Sequence, residues 1–133
     1  RSLGRLVEML NCIPIDRSKG DRQGLAAIER RLKQGWAMFL SPEGTRNKSP
    51  RLLSPKLGVG MLSRRADVPV VPVYVHGTRN VWKSIIGLDR LVVRFGEPMR
   101  FEPGNLPSNR REASQFISNA VMQRIRDLRS GKR

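Results

Sequence analysis

An α/β domain with a mostly parallel central sheet flanked by helices is the fold class this sequence predicts. Three observations carry it. Short apolar runs alternate with helical repeats, the most apolar run (Val68 to His76) follows directly on a helical segment, and the stretch from Asn109 holds a long amphipathic repeat. A chain of 133 residues suits one core, so 1–133 is read as a single domain.

Leu3 to Leu10 is amphipathic, and a chain opening on Arg1 rather than Met reads as a piece whose N-terminal part is missing. Cys12-Ile13-Pro14-Ile15 is short, apolar and followed by the charged turn Asp16 to Gly20, the pattern of a buried strand feeding a loop. Asp21 can cap a helix in which Leu25, Ile28 and Leu32 form the apolar face. Arg22, Glu29, Arg30 and Lys33 form its wet face, and Gly35 stops it. Trp36 to Leu40 reads as a second buried strand. After a polar loop, Ser54-Pro55 supplies the cap and first-position proline of a helix running to about Ala66, in which Gly58 and Gly60 permit close backbone approach. Val68 to His76 and Arg90 to Phe95 read as strands. The final helix begins at Asn109, with Glu112 completing a capping box; its apolar face is Ala113, Phe116, Ile117, Ala120, Val121, Ile125 and Leu128. A frayed basic tail, Ser130 to Arg133, follows.

Twenty-six Lys and Arg oppose eleven Asp and Glu, a net charge of +15 that attracts polyanions: nucleic acid, an anionic membrane surface or phosphorylated metabolites. One cysteine, Cys12, cannot form an intrachain disulfide, which fits a reducing compartment. No run nears the roughly eighteen apolar residues of a membrane-spanning helix. A lone Cys12 and a lone His76 make no metal site, and no glycine-rich nucleotide loop follows a strand. A nucleic-acid-binding module would interleave exposed aromatics with its basic residues. The four Phe, two Trp and one Tyr fall mostly in apolar runs, so no specific nucleic acid is expected.

Three basic residues stand where α/β sheets gather ligands. Arg17 follows the first predicted strand, Arg46 follows the second, and Lys56 lies in the predicted first helical turn after Pro55. Arginine offers a planar fork and lysine a compact charge to a phosphate, and a helix N-terminus adds free N–H groups. Solvated surface is the alternative in so basic a chain.

Leu40-Ser41-Pro42-Glu43-Gly44-Thr45-Arg46 resembles the third conserved block of the glycerol-phosphate and lysophospholipid acyltransferases, usually Phe-Pro-Glu-Gly-Thr-Arg, with Ser41 where an aromatic residue is common. Ile13-Pro14-Ile15-Asp16-Arg17 looks like the second block, Lys56-x-Gly58 like the lysine-glycine pair after the third, and Val68-Pro69-Val70-Val71-Pro72-Val73 like the fourth. The resemblance covers about 1–96. It implies a glycerol-phosphate acyltransferase-like fold and transfer of a fatty acyl group from acyl-CoA or acyl carrier protein, as co-substrate, to 1-acylglycerol 3-phosphate. No cofactor or metal is implied. Arg17, Arg46 and Lys56 would hold the acceptor phosphate, Glu43 and Gly44 would shape the glycerol end of the site, and Thr45 would join them in binding substrate. Glu43 could instead brace the loop by a salt bridge to Arg46.

The family's first block, Asn-His-x-Ser-x-x-Asp or close to it, supplies the general base, and this sequence does not contain it. Five residues after His76 stands Val81, so His76 is taken as a structural or pocket-edge residue. The resemblance implies that the catalytic histidine and aspartate lie upstream of Arg1 and that 1–133 alone is inactive. The expected partners are a lysophospholipid acceptor, the acyl donor and an anionic membrane surface, at the cytosolic face. The alternatives are another lysolipid or glycerol 3-phosphate as acceptor, an inactive scaffold, or a basic nucleic-acid-binding module.

Overall fold

The computed structural model describes residues 12–13, 22–45, 49, 51–78 and 90–131. They belong to two compact units, Arg1–Phe39 and Leu40–Arg133. In the first, α1 (Arg22–Lys33) forms where the repeat of Leu25, Ile28 and Leu32 predicts it, with Ile28 buried and Lys33 paired to Glu29 at 2.9 Å one turn back. The helix ends at the expected glycine: Gly35 N–H donates to Leu32 O and Trp36 N–H to Arg31 O, and the Arg31 guanidinium lies 5.0 Å from the Trp36 ring centroid. Asp21, the Leu3 to Leu10 stretch and most of the predicted Cys12 to Ile15 strand lie outside the described residues; 12 and 13 are in no strand. Trp36 to Leu40 corrects the reading. It is irregular rather than a buried strand, and Phe39 is 85% exposed. An apolar run specifies a strand only when a ladder partner takes its N–H and C=O groups, and among the described residues this one has none.

The second unit is organised by α3 (Arg110–Ser130), which starts at Asn109 as predicted, although among the described residues only the Asn109 half of the expected capping box forms and Glu112 does not return a bond. The Asn109 side chain accepts from Arg111 N–H at 2.8 Å and Glu112 N–H at 3.3 Å, satisfying two of the N–H groups a helix start leaves orphaned. Ala113, Ile117, Val121, Ile125 and Leu128 are buried as expected. Phe116, placed on that face by the sequence, is half exposed, while Ser114, Ser118 and Met122 are buried in its stead. The buried stripe is therefore rotated toward small polar residues.

The reason is α2 (Gly58–Ala66). A Cβ at Gly60 would sit 1.9 Å from Ser114 O, so the two backbones meet where glycine faces serine. Gly60 N–H donates to Ser118 Oγ at 3.1 Å in the buried contact, giving an orphan donor of the α2 N-terminus a partner on the other helix. Val59 enters the cluster of Ile117, Val121, Met122 and Ile125 from the same turn. Burial of each such side chain stabilises by about 1.5–3 kcal/mol. The helix starts at Gly58, not at Pro55. Lys56 N–H donates to Pro42 O at 2.8 Å, and Leu57, without a side-chain cap, takes the N-cap position.

β1 (Val73–His76) pairs with β2 (Val92–Phe95) antiparallel, Val73 opposite Phe95 and His76 opposite Val92. Val70 and Met99 add an isolated antiparallel bridge. Three steps from Val70 to Val73 oppose four from Phe95 to Met99, a one-residue bulge near Pro72, whose ring leaves no N–H for the ladder. Pro69 and Pro72 thus shorten the predicted Val68 to His76 strand to its last four residues. The mixed α/β class holds, but the parallel sheet does not appear among the described residues. There the ladder is antiparallel and one-sided: Tyr74 packs on the core, while Val75, Val93 and Phe95 of the opposite face are exposed. Apolarity on both faces, read as the mark of a covered parallel strand, does not specify strand direction.

The α2–α3 contact predicts opposite outcomes for two neighbouring glycines. Gly60→Ala should lower stability by about 1–3 kcal/mol, read as a lower urea midpoint at unchanged slope. Gly58→Ala, with nothing within 4 Å of the new carbon, should leave stability equal or up to about 1 kcal/mol higher. Equal responses would contradict the close approach.

Candidate functional site

The segment Ser41 to Thr45 folds as a tight turn. Gly44 N–H donates to Ser41 O at 3.1 Å, and Pro42 occupies the second position, where its fixed φ suits the turn. Gly44 has φ +66°, a left-handed conformation costing about 1 kcal/mol or more for a residue with a side chain. A Cβ there would also lie 2.9 Å from Lys56 Cγ. The glycine thus serves two needs at once: it completes the turn and lets the aliphatic stem of Lys56 lie against the loop backbone.

Glu43 is buried, 8% exposed, and is the sole buried carboxylate among the described residues. A buried carboxylate needs donors to replace water. Leu53 N–H supplies one at 3.1 Å, ten residues along the chain. With the Lys56 N–H to Pro42 O bond, this fastens the turn to the segment 53–56 at two points. Leu52, next to that segment, packs against the core cluster, so the turn is tied to the body of the unit. Lys56 is exposed, and Thr45 is exposed at the end of the turn.

Glu43, Gly44, Thr45 and Lys56 are accordingly brought together, whereas Arg17 and Arg46 lie outside the described residues. Lys56 sits before α2 rather than in its first turn, so the α2 N–H groups are not beside it by virtue of helix position, and one of them is held by Ser118. The brace on Glu43 from Leu53 was not foreseen. A main-chain donor carries no residue-type signal, so only the sum of turn geometry and burial reveals it. His76 ends β1, exposed, with its ring stacked 6.5 Å from that of Tyr74; among the described residues no hydrogen bond orients it. Among the described residues there is no cluster of metal-ligating side chains and no helix long and apolar enough to cross a membrane. A lysine held against a tight turn, with a buried carboxylate fixing that turn from within, is suited to receiving an anion.

Residues 1–76 match the family described as Acyltransferase. The chain is 34% identical over 127 residues to a protein of Mycoplasma pneumoniae named probable 1-acyl-sn-glycerol-3-phosphate acyltransferase, covering 92% of this chain and 47% of that one. It is 25% identical to the 1-acyl-sn-glycerol-3-phosphate acyltransferase of Bacillus subtilis, covering 95% and 61%. A chloroplastic protein of the same name from Arabidopsis thaliana is 33% identical over 82 residues, covering 59% and 23%. The chain thus spans about half the length of the relatives it matches first. No solved structure gives a significant match.

Two substitutions at Glu43 separate charge from bracing. Glu43→Gln keeps an oxygen for Leu53 N–H and should change stability by less than about 1 kcal/mol; Glu43→Leu removes the acceptor and should cost about 1–3 kcal/mol in urea unfolding. Equal losses would assign the anchoring to the charge instead.

Proposed function

The chain belongs to the acyltransferase family, and from that premise we propose that its protein moves a fatty acyl group from a thioester to the free hydroxyl of 1-acylglycerol 3-phosphate in phospholipid synthesis. The donor is acyl-CoA or acyl carrier protein. The observation that carries the reading is the fastening of Ser41 to Thr45 to the segment bearing Lys56, which holds the most diagnostic stretch of the sequence and a cationic side chain in one place. In this reading Lys56, Arg46 and Arg17 receive the acceptor phosphate. Glu43 fixes the turn, Gly44 keeps its backbone open to close approach, and Thr45 borders the glycerol.

The acceptor oxygen attacks the thioester carbonyl, the ester bond forms, and the thiol leaves with the proton. The general base is assigned to the histidine of the family's first block, not to His76, which lacks an orienting partner among the described residues. No resident cofactor or metal is needed for this transfer. The protein is placed at the cytosolic face of an anionic membrane, where each basic side chain held near the surface contributes on the order of 1 kcal/mol and the charge of +15 gathers phosphorylated acceptors.

In the complete enzyme, Arg46→Ala should raise KM for 1-acylglycerol 3-phosphate roughly 10- to 150-fold, the equivalent of about 1.5–3 kcal/mol for a charge-assisted hydrogen bond, with KM for the acyl donor changed far less. Steady-state kinetics with each substrate varied in turn would show the split. Equal effects on both would refute the assignment.

A further inference from the structure

An open cleft of about 390 Å³ lies in the second unit, joined to the Glu43 turn through the segment 51–53. Its walls are Arg51 and Leu52 on one side and Arg126, Arg129 and Ser130 of α3 on the other. The volume falls at the lower end of the range that holds small ligands, roughly 300–1,000 Å³. Positions 126, 129 and 130 stand three and four residues apart, so one face of the last helical turns presents both arginines to the cleft. No carboxylate is among the lining residues.

Arginines in a last helical turn commonly serve to complete the helix end. Here that need is met by other groups. Gly131 N–H donates to the carbonyls of Asp127 and Leu128, Ser130 Oγ donates to Asp127 O, and Arg94 Nη1 donates to Leu128 O at 2.6 Å and Arg129 O at 3.1 Å. The Arg129 guanidinium has no partner among the described residues, and Arg126 makes only a long 3.4 Å contact with Gln123 Oε1. Like charges three residues apart repel, and the negative end of the helix dipole only partly offsets this. An anion in the cleft resolves the repulsion and engages guanidinium forks whose geometry suits phosphate.

We propose that Arg51, Arg126 and Arg129 form a second anion site, separate from the Glu43 turn, that binds a ligand carrying more than one phosphate group. Two sources share that chemistry: a soluble diphosphate, such as a nucleotide portion of a substrate, and the headgroups of an anionic lipid surface.

The test is binding to the full chain. Titration calorimetry with pyrophosphate and with adenosine 3′,5′-bisphosphate, and co-sedimentation with phosphatidylglycerol vesicles, should be run on the native chain and on the Arg126→Gln/Arg129→Gln double variant. A control removes the same charge at the other end of α3, Arg110→Gln/Arg111→Gln. Both arginine pairs are exposed, so circular dichroism should show both variants folded. The cleft variant should weaken binding at least about tenfold while the control weakens it less than about threefold. Loss confined to the soluble ligands supports a diphosphate in solution, and loss confined to vesicles supports headgroups. Unchanged binding in every arm, or equal loss in the control, overturns the proposal. Because the readout is binding, the result stands apart from that of the Arg46 kinetics.

Discussion

The backbone of α2 meets that of α3 at Gly60, where one added carbon would lie 1.9 Å from Ser114 O, and Ser118 supplies the buried acceptor that Gly60 N–H needs. The rest of the second unit follows from this contact. It rotates the buried stripe of α3 from Phe116 toward Ser114, Ser118 and Met122, and it sets Val59 among Ile117, Val121, Met122 and Ile125. Close packing of small groups earns its stability from dispersion and from a satisfied donor, and both fall off steeply if the helices part.

The segment bearing Lys56 is anchored at the same place. Residues 52–56 run into α2 with Leu52 packed on the core, and from them Leu53 N–H and Lys56 N–H reach back to Glu43 and Pro42. The turn is therefore held by main-chain donors on the segment 53–56, and the Lys56 stem lies against Gly44. In the proposed reading this turn receives substrate, and a turn fixed in this way loses little freedom when an anion arrives, a preorganisation that favours affinity.

Much of this was legible in the residues, and the limits have physical causes. Helical repeats and caps are local, so α1 and α3 were readable, down to Asn109 and its hydrogen bonds to the first turn. Gly60 is legible as a site of close approach, yet its partners, fifty-odd residues away, carry no local signal. Strand direction depends on which segments pair, which is why Val73 to His76 was read as parallel and is antiparallel to Val92 to Phe95. Trp36 to Leu40 shows the same gap: apolarity was correct, but a strand needs a ladder. At the site, composition marks a polar loop after Leu40, while its tight turn, the brace on Glu43 and the arginine cleft arise from folding.

The chain carries a charge of +15 and a lysine packed against a tight turn, and in the proposed reading that lysine meets the phosphate of the acyl acceptor. The direct measurement is acyl transfer by the complete enzyme to 1-acylglycerol 3-phosphate and to 1-acylglycerol bearing the same chain, compared as kcat/KM. The account predicts a preference for the phosphorylated acceptor of at least about a hundredfold, in keeping with two or more charge-assisted contacts. Equal use of the two acceptors would contradict it.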